Sequence, residues 1–457
     1  MPSPTSSDAG RSDTPAGRPA AAVVRAAVVA ALGGLLFGFD TAVISGAEKA
    51  LALKFELNDF WVGFTVASAL IGTVVGSAVV GRPTDVWGRK AVLLVLAVGY
   101  VVSSVGCGLA PDWYTFVAAR FLGGLAIGGA SVVVPLYIAE VSPPAWRGRL
   151  VALNQLNVVG GILLSYLSNY LIAQALPEAV AWRWMLGIMA VPAVVFFLFL
   201  FTIPESPRWL VLAGRSDAAL SVLTRLGAAD PAGDVAAIRG AIGTPDAGIR
   251  DTLFRRVYAR PIYLAWAIAM FNQLSGINAL MYYAPRIFEM AGADKSGALL
   301  QSVAVGATNF VFTVAALFLI DRFGRRPLLL VGSVGLVACL GVVAYEFEKG
   351  SPPTGPVVLA ALLGYIAFFA FSQGAVIWVF ISEVFPTAVR AKGQAFGSFT
   401  HWFMAAAVSW TFPMASGRPA LAFGFFAAMM VLQFVFAWAV MPETRGRALE
   451  DVGPTTT

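Results

Sequence analysis

The chain has 457 residues, of which 58% are hydrophobic and 12% charged, with a mean hydropathy of +0.78. A soluble domain carries roughly 25% charged residues, so the composition excludes an ordinary water-exposed globule and makes a lipid bilayer the natural surrounding. The 31 lysines and arginines outnumber 25 acidic residues, but no basic surface interleaved with aromatics accompanies them, and no nucleic-acid partner is expected.

Residues 1–20 mix Ser, Pro, Gly, Ala and Asp without an apolar run, which predicts a disordered tail and no signal peptide. Apolar runs then follow near 22–46, 60–80, 90–109, 114–134, 150–171, 184–203, 261–290, 298–320, 327–346, 357–381, 393–412 and 420–441. A span needs about 20 apolar residues, and in lipid a helix satisfies its own backbone amides. The expected fold is an all-α polytopic membrane protein with twelve transmembrane helices. Cys107 and Cys339 lie in separate runs without metal-like spacing and read as small core residues.

Cytoplasmic loops retain Lys and Arg. Tracing the spans back and forth puts 23 of the 31 basic residues on the side of both termini and of segment 204–260. The expectation is a multi-pass cell-membrane protein with cytoplasmic termini. Within that long segment, apolar residues alternate with Arg and Asp over 211–252, which predicts short amphipathic helices lying under the bundle.

Three unrelated strings occur twice. GRPTDVWGRK (81–90) pairs with IDRFGRRP (320–327), EVSPPAWR (140–147) with EVFPTAVR (383–390), and PESPRWL (204–210) with PETRGRAL (442–449), at offsets of 236, 243 and 238 residues. A constant interval predicts two six-helix bundles, 21–203 and 261–441, joined by the linker 204–260, with 442–457 as a C-terminal tail; this is the parallel-repeat plan of transporters that rock around a midplane site. The repeated loops bring carboxylates and guanidiniums to the cytoplasmic helix ends, where Arg pairs with carboxylates or caps carbonyls. Asp85, Arg89, Glu140, Arg147, Glu205, Asp321, Arg325, Glu383, Arg390 and Glu443 are therefore candidates for a charge latch that holds the outward-open state.

Together GGLLFGFDTAVISG (33–46), PESPRWL, QLSGIN (273–278), DRFGRR (321–326) and PETRG (442–446) resemble the sugar porter family of the major facilitator superfamily, over about residues 22–450. VSWTFPM (408–414) looks closest to the family's bacterial xylose/proton symporters. The resemblance implies a monosaccharide, hexose or pentose, carried by alternating access with a proton as co-substrate, in a monomer without cofactor or metal. A uniporter without proton coupling and a non-transporting sugar sensor are the alternatives. An enzyme is not expected, because one histidine, no HExxH and no Gly-rich phosphate loop leave no catalytic set.

An ionisable group within a span costs roughly 2.5–3.5 kcal/mol and is a functional candidate by default. Asp40 and Arg120 each lie six residues, about 9 Å, below the outer ends of the first and fourth spans, so contact between them is plausible. A carboxylate that pairs with Arg in one environment and takes a proton in another is suited to coupling; a static ion pair is the other reading. The resemblance favours coupling, since the family's proton symporters have Asp here and facilitative glucose transporters commonly have Asn.

A sugar needs amides that donate and accept, and aromatic faces for its C–H surface. The seventh span offers Asn272, Gln273, Asn278, Tyr282 and Tyr283, and Gln273 meets Asn278 only if the helix breaks near Gly276, which Gly276 and Pro285 permit. Gln155, Asn309 and Trp378, just after the weak point Gly374, add to the set. Helix-packing glue is the alternative for each. The resemblance aligns Gln155, Gln273, Asn278, Asn309 and Trp378 with sugar ligands, Trp402 with a second aromatic contact, and Tyr282 and Tyr283 with gating tyrosines. Three residues depart from the pattern: Asn272 replaces a Gln, Ile162 stands where the xylose symporter has a second Gln, and His401 replaces Asn or Gln. Ile162 resembles the hexose facilitators. His401, the only histidine, either adds pH dependence or substitutes as a neutral hydrogen-bonding group.

Overall fold

A computed structural model describes residues 19–243, 252–386 and 389–445, without the side chains of 241–243 and Asp321. Residues 1–18 and 446–457, most of the two expected tails, lie outside the described residues, as does the side-chain part of the latch expected at Asp321. Among the described residues every regular element is helical.

The first half runs α1 (Ala21–Lys54), α2 (Asp59–Val79), the short α3 (Gly81–Trp87), α4 (Arg89–Leu109), α5 (Trp113–Val141), α6 (Arg147–Ala175), and α7 (Glu178–Gly187) continued by α8 (Ala190–Leu200). Three short helices follow, α9 (Pro207–Leu212), α10 (Ser216–Arg225) and α11 (Pro231–Gly243). The second half holds α12 (Ala259–Leu274), α13 (Ile277–Met290), α14 (Lys295–Phe323), α15 (Arg325–Glu348), α16 (Gly355–Phe371), α17 (Gln373–Val384), α18 (Arg390–Ala415) and α19 (Pro419–Ala439).

Polar side chains set several starts: Asn58 and Asp112 accept the backbone N–H groups of Trp61 and Thr115 at 3.0 and 2.9 Å, supplying acceptors that helix N-termini lack. Among the described residues eleven helices, counting α7–α8, α12–α13 and α16–α17 as one each, are long and apolar enough to cross a membrane. The twelfth expected span, α18, is 26 residues long but less apolar, because Lys392, Gln394 and His401 occupy its first half.

Small residues let the helices of each half approach closely. A Cβ on Gly38 of α1 would collide with the Val158 carbonyl of α6, and one on Gly161 of α6 with the Leu35 carbonyl of α1. The halves meet along α2–α18, α6–α14 and α1–α13.

Two spans are broken near their midpoints. α12 ends at Leu274 and α13 starts at Ile277, with Gly276 left-handed at φ +85°, as the glycine predicted. The break between α16 and α17 falls at Ser372 (φ −106°, ψ −88°) and not at Gly374, which lies inside α17. There Ser372 Oγ donates to the Phe368 carbonyl four residues back at 2.5 Å, a back-bond of the kind that accompanies helix bends.

Candidate functional site

The face carrying α9–α11, here the linker side, holds two charge clusters with the same wiring. Gly88 and Gly324 occupy equivalent loops at φ +96° and +88°, a region open to glycine. The turn aims the next N–H groups at a carboxylate: Arg89 and Lys90 donate to Glu205 at 3.1 Å, and Arg325 and Arg326 donate to Glu443 at 3.1 and 3.0 Å. A side chain on either glycine would strike that carboxylate. The arginines then fork onto a second acid: Arg89 Nε and Nη2 onto Glu140 at 2.8 and 3.0 Å, and Arg325 Nε and Nη2 onto Glu383 at 3.1 and 2.8 Å. Ser206 and Thr444 donate to the same two acids at 2.6 and 2.7 Å.

Each cluster therefore joins all three repeated strings of its own half. Arg147 and Arg390 stand seven residues after those acids but take different partners, donating to the carbonyls of Ala139 (3.0 Å) and Phe385 (3.3 Å). Asp85 is a peripheral member, 3.6 Å from Arg89 and mostly exposed. The equivalent glutamates differ electrostatically. Burial pushes the Glu205 carboxyl above its ordinary value, against the N–H groups of Ser206, Lys90 and Arg89 and the Arg89 charge. Glu443 is less buried, and the N–H groups of Arg445, Arg325, Arg326 and Thr444 outweigh that burial and hold its carboxyl below the ordinary range.

Deep in the first half, Arg120 Nη1 donates to Asp40 Oδ1 at 2.6 Å, with Asp40 3% and Arg120 1% exposed. The spacing placed both at one depth, and the structure brings them together. Nε and Nη2 of Arg120 find no acceptor among the described residues. Asp40 shares α1 with two further contacts. One turn earlier, Phe37 meets Trp402 of α18 edge-on, centroids 5.5 Å apart. Next in sequence, Thr41, whose hydroxyl donates to the Phe37 carbonyl at 2.9 Å, lies beside Tyr282 of α13.

In the second half the helix break folds Asn278 back onto Gln273, whose Oε1 accepts from Asn278 Nδ2 at 2.6 Å. Gln273 Nε2 reaches Asn272 Oδ1 at 3.0 Å and lies 3.2 Å from the His401 ring nitrogens. His401 packs 4.8 Å from Trp378 and 4.8 Å from Trp402, centroid to centroid. Asn272, Gln273, Asn278, Trp378, His401 and Trp402 thus form one amide-and-aromatic cluster drawn from α12, α13, α17 and α18. Asn272 Nδ2 is buried without an acceptor among the described residues. Gln155 on α6 and Asn309 on α14 make no hydrogen bond to this cluster, and Ile162 is buried on α6. Tyr283, buried on α13, donates to the Ser409 carbonyl at 2.9 Å.

On the side away from the linker, charged contacts tie the halves together. Arg286 of α13 bridges Glu48 at 2.9 Å and Asp59 at 3.1 Å, Lys49 pairs with Glu289, and Lys295 reaches Glu178 at 2.6 Å. Sequence analysis assigned no role to Arg286 or its partners. Opposite charges at the ends of the first and seventh spans were the available signal.

Two packed helical halves with a repeated charge motif, a buried acid–base pair in the first and a polar cluster in the second that meets α1 through Phe37 and Trp402 define a membrane transporter. The description "Sugar (and other) transporter" belongs to the family model that matches residues 26–455, and the chain is a member of that family. It is 36% identical to the D-xylose-proton symporter of Escherichia coli K12, over 93% of this chain and 94% of that protein. It is 35% identical to the arabinose-proton symporter of Bacillus subtilis, over 94% of each. Among solved structures, the inward open conformation of the xylose transporter XylE from E. coli superposes with a TM-score of 0.84 at 35% identity, over 94% of this chain and 99% of that one.

Proposed function

We propose that this chain imports a monosaccharide, a hexose or pentose, across the cell membrane in symport with a proton, with its termini and linker side in the cytoplasm. The observation that carries the reading is the placement of three contacts on one stretch of α1. Phe37 touches the aromatic end of the amide cluster, Asp40 holds Arg120, and Thr41 faces Tyr282. A change at the acid is thereby one helical turn from the sugar cluster. The relatives named above as xylose-proton and arabinose-proton symporters support both cargo and coupling.

In this reading the amides of Gln273, Asn278 and Asn272 donate to and accept from sugar hydroxyls, His401 adds a neutral polar edge, and Trp378 and Trp402 face the ring's C–H surface. Gln155, Asn309 and Ile162 complete the pocket when the halves close. Protonation of Asp40 cancels the charge that holds Arg120, freeing α1 to move relative to α5. With the outer ends joined by Arg286 and its partners, the arrangement is the inward-facing one. The linker-side clusters, each closed on its own half here, latch the cytoplasmic face when the halves meet in the outward-open state. The protein acts as a monomer.

Uptake into proteoliposomes, with a panel of pentoses and hexoses and with or without an inward proton gradient, tests this. Accumulation of one or more sugars above the outside concentration only under the gradient is expected. Uptake that stops at equal concentrations regardless of the gradient would make the protein a uniporter, and no uptake of any sugar would overturn the cargo.

A further inference from the structure

Proline lacks the N–H that would return to the carbonyl four residues back, so Pro285 of α13 releases the carbonyl of Met281 and Pro413 of α18 releases that of Ser409. Both carbonyls are met by a tyrosine from another helix. Tyr283 donates to Ser409 at 2.9 Å, inside the second half. Tyr166 of α6 donates to Met281 at 2.6 Å, across the boundary between the halves. The Tyr166 ring is 1% exposed, so a hydroxyl without that carbonyl would sit among buried groups.

We propose that Tyr166 is a positioning residue for the outer gate: its hydroxyl seizes the proline-freed carbonyl of Met281 and holds α13, which carries Asn278 and Tyr282, against the first half whenever the outside is shut. The Ser409 bond stays within one half and persists through the cycle. The Met281 bond must break for the outside to open. This rests on the alternating-access reading and deepens it, assigning the closing contact to a residue outside the sugar cluster and outside the charged rim.

Hydrogen–deuterium exchange of the purified full-length protein in detergent, without sugar, reads both faces at once. Tyr166→Phe keeps the ring and removes the donor. Exchange in the outer turns of α1 and α13 is expected to quicken about fivefold, the factor a typical buried hydrogen bond carries, while the linker-side turns of α17 slow as that face closes. Pro285→Ala returns an N–H to Met281, and in that background the same substitution is expected to change nothing further. No change in Tyr166→Phe, quickening on both faces together, or the same quickening with Pro285→Ala would overturn the assignment. Because the readout needs no substrate, a wrong cargo leaves it unaffected.

Discussion

Asp40 and Arg120 are each removed from water and hold one another through a single short bond. Breaking such a pair by deleting one partner leaves a buried charge uncompensated and costs about 3–5 kcal/mol. Arg120→Leu is therefore expected to lower the thermal unfolding midpoint of the detergent-solubilised protein, and Asp40→Asn in the same chain to recover most of the loss; an equally unstable double variant would show that Arg120 acts by packing. The equivalent glutamates of the two clusters give a second residue-level expectation. The folded Glu205 carboxyl is raised and so takes up its proton as pH falls toward the ordinary glutamate value from above, whereas the depressed Glu443 carboxyl keeps its charge until pH falls below that value. By linkage, protonation at Glu205 favours the folded state as pH falls through its raised value, and the stability that Glu443 contributes is lost as pH falls through its depressed one. Infrared titration of the carboxylic acid band should lose a protonation step above the ordinary value in Glu205→Gln and retain it in Glu443→Gln. Asp40 and Arg120 were legible as neighbours from their equal depth below the span ends, and Gln273 and Asn278 from their amides within a span. Neither signal showed that Glu140 takes Arg89 in place of Arg147, since partner choice depends on how α4 and α5 pack, which sequence spacing does not carry.

Helix breaks decide which polar side chains meet. The break at Gly276 was legible because glycine and Pro285 mark it, and it is what lets Gln273 and Asn278 share a bond. A Cβ at position 276 would lie 2.5 Å from the Phe426 ring in a left-handed conformation, so Gly276→Ala is expected to straighten the junction. Strain of about 1–2 kcal/mol would appear mainly as a KM for sugar raised roughly tenfold, and unchanged transport would show that the juxtaposition is not used. The break at Ser372 was less legible. Gly374 drew attention as the weak helix former, yet the kink falls two residues earlier at Ser372, whose hydroxyl back-bonds to the Phe368 carbonyl. The less apolar α18 shows the same limit from another side: the residues that lower its apolarity include His401, a member of the polar cluster.

Across the whole molecule the duplication carried the most information. Strings repeated at a nearly constant interval became two clusters with matching donors and acceptors, down to the positive-φ glycine of each loop. What the repeat could not show is how the halves sit against each other, because the ion pairs of Arg286, Lys49 and Lys295 that join them have no counterpart in the duplicated strings. The connection from acid to cluster along α1 was likewise hidden, for Phe37 and Thr41 are ordinary span residues until Trp402 and Tyr282 are brought beside them. In the proposed transport cycle Asp40 is the group that couples a proton to the sugar. The direct measurement compares Asp40→Asn with the unaltered protein in proteoliposomes, recording accumulation under an inward proton gradient and equilibrium counterflow side by side. Loss of accumulation with counterflow retained is the predicted result, and accumulation preserved in Asp40→Asn would contradict it.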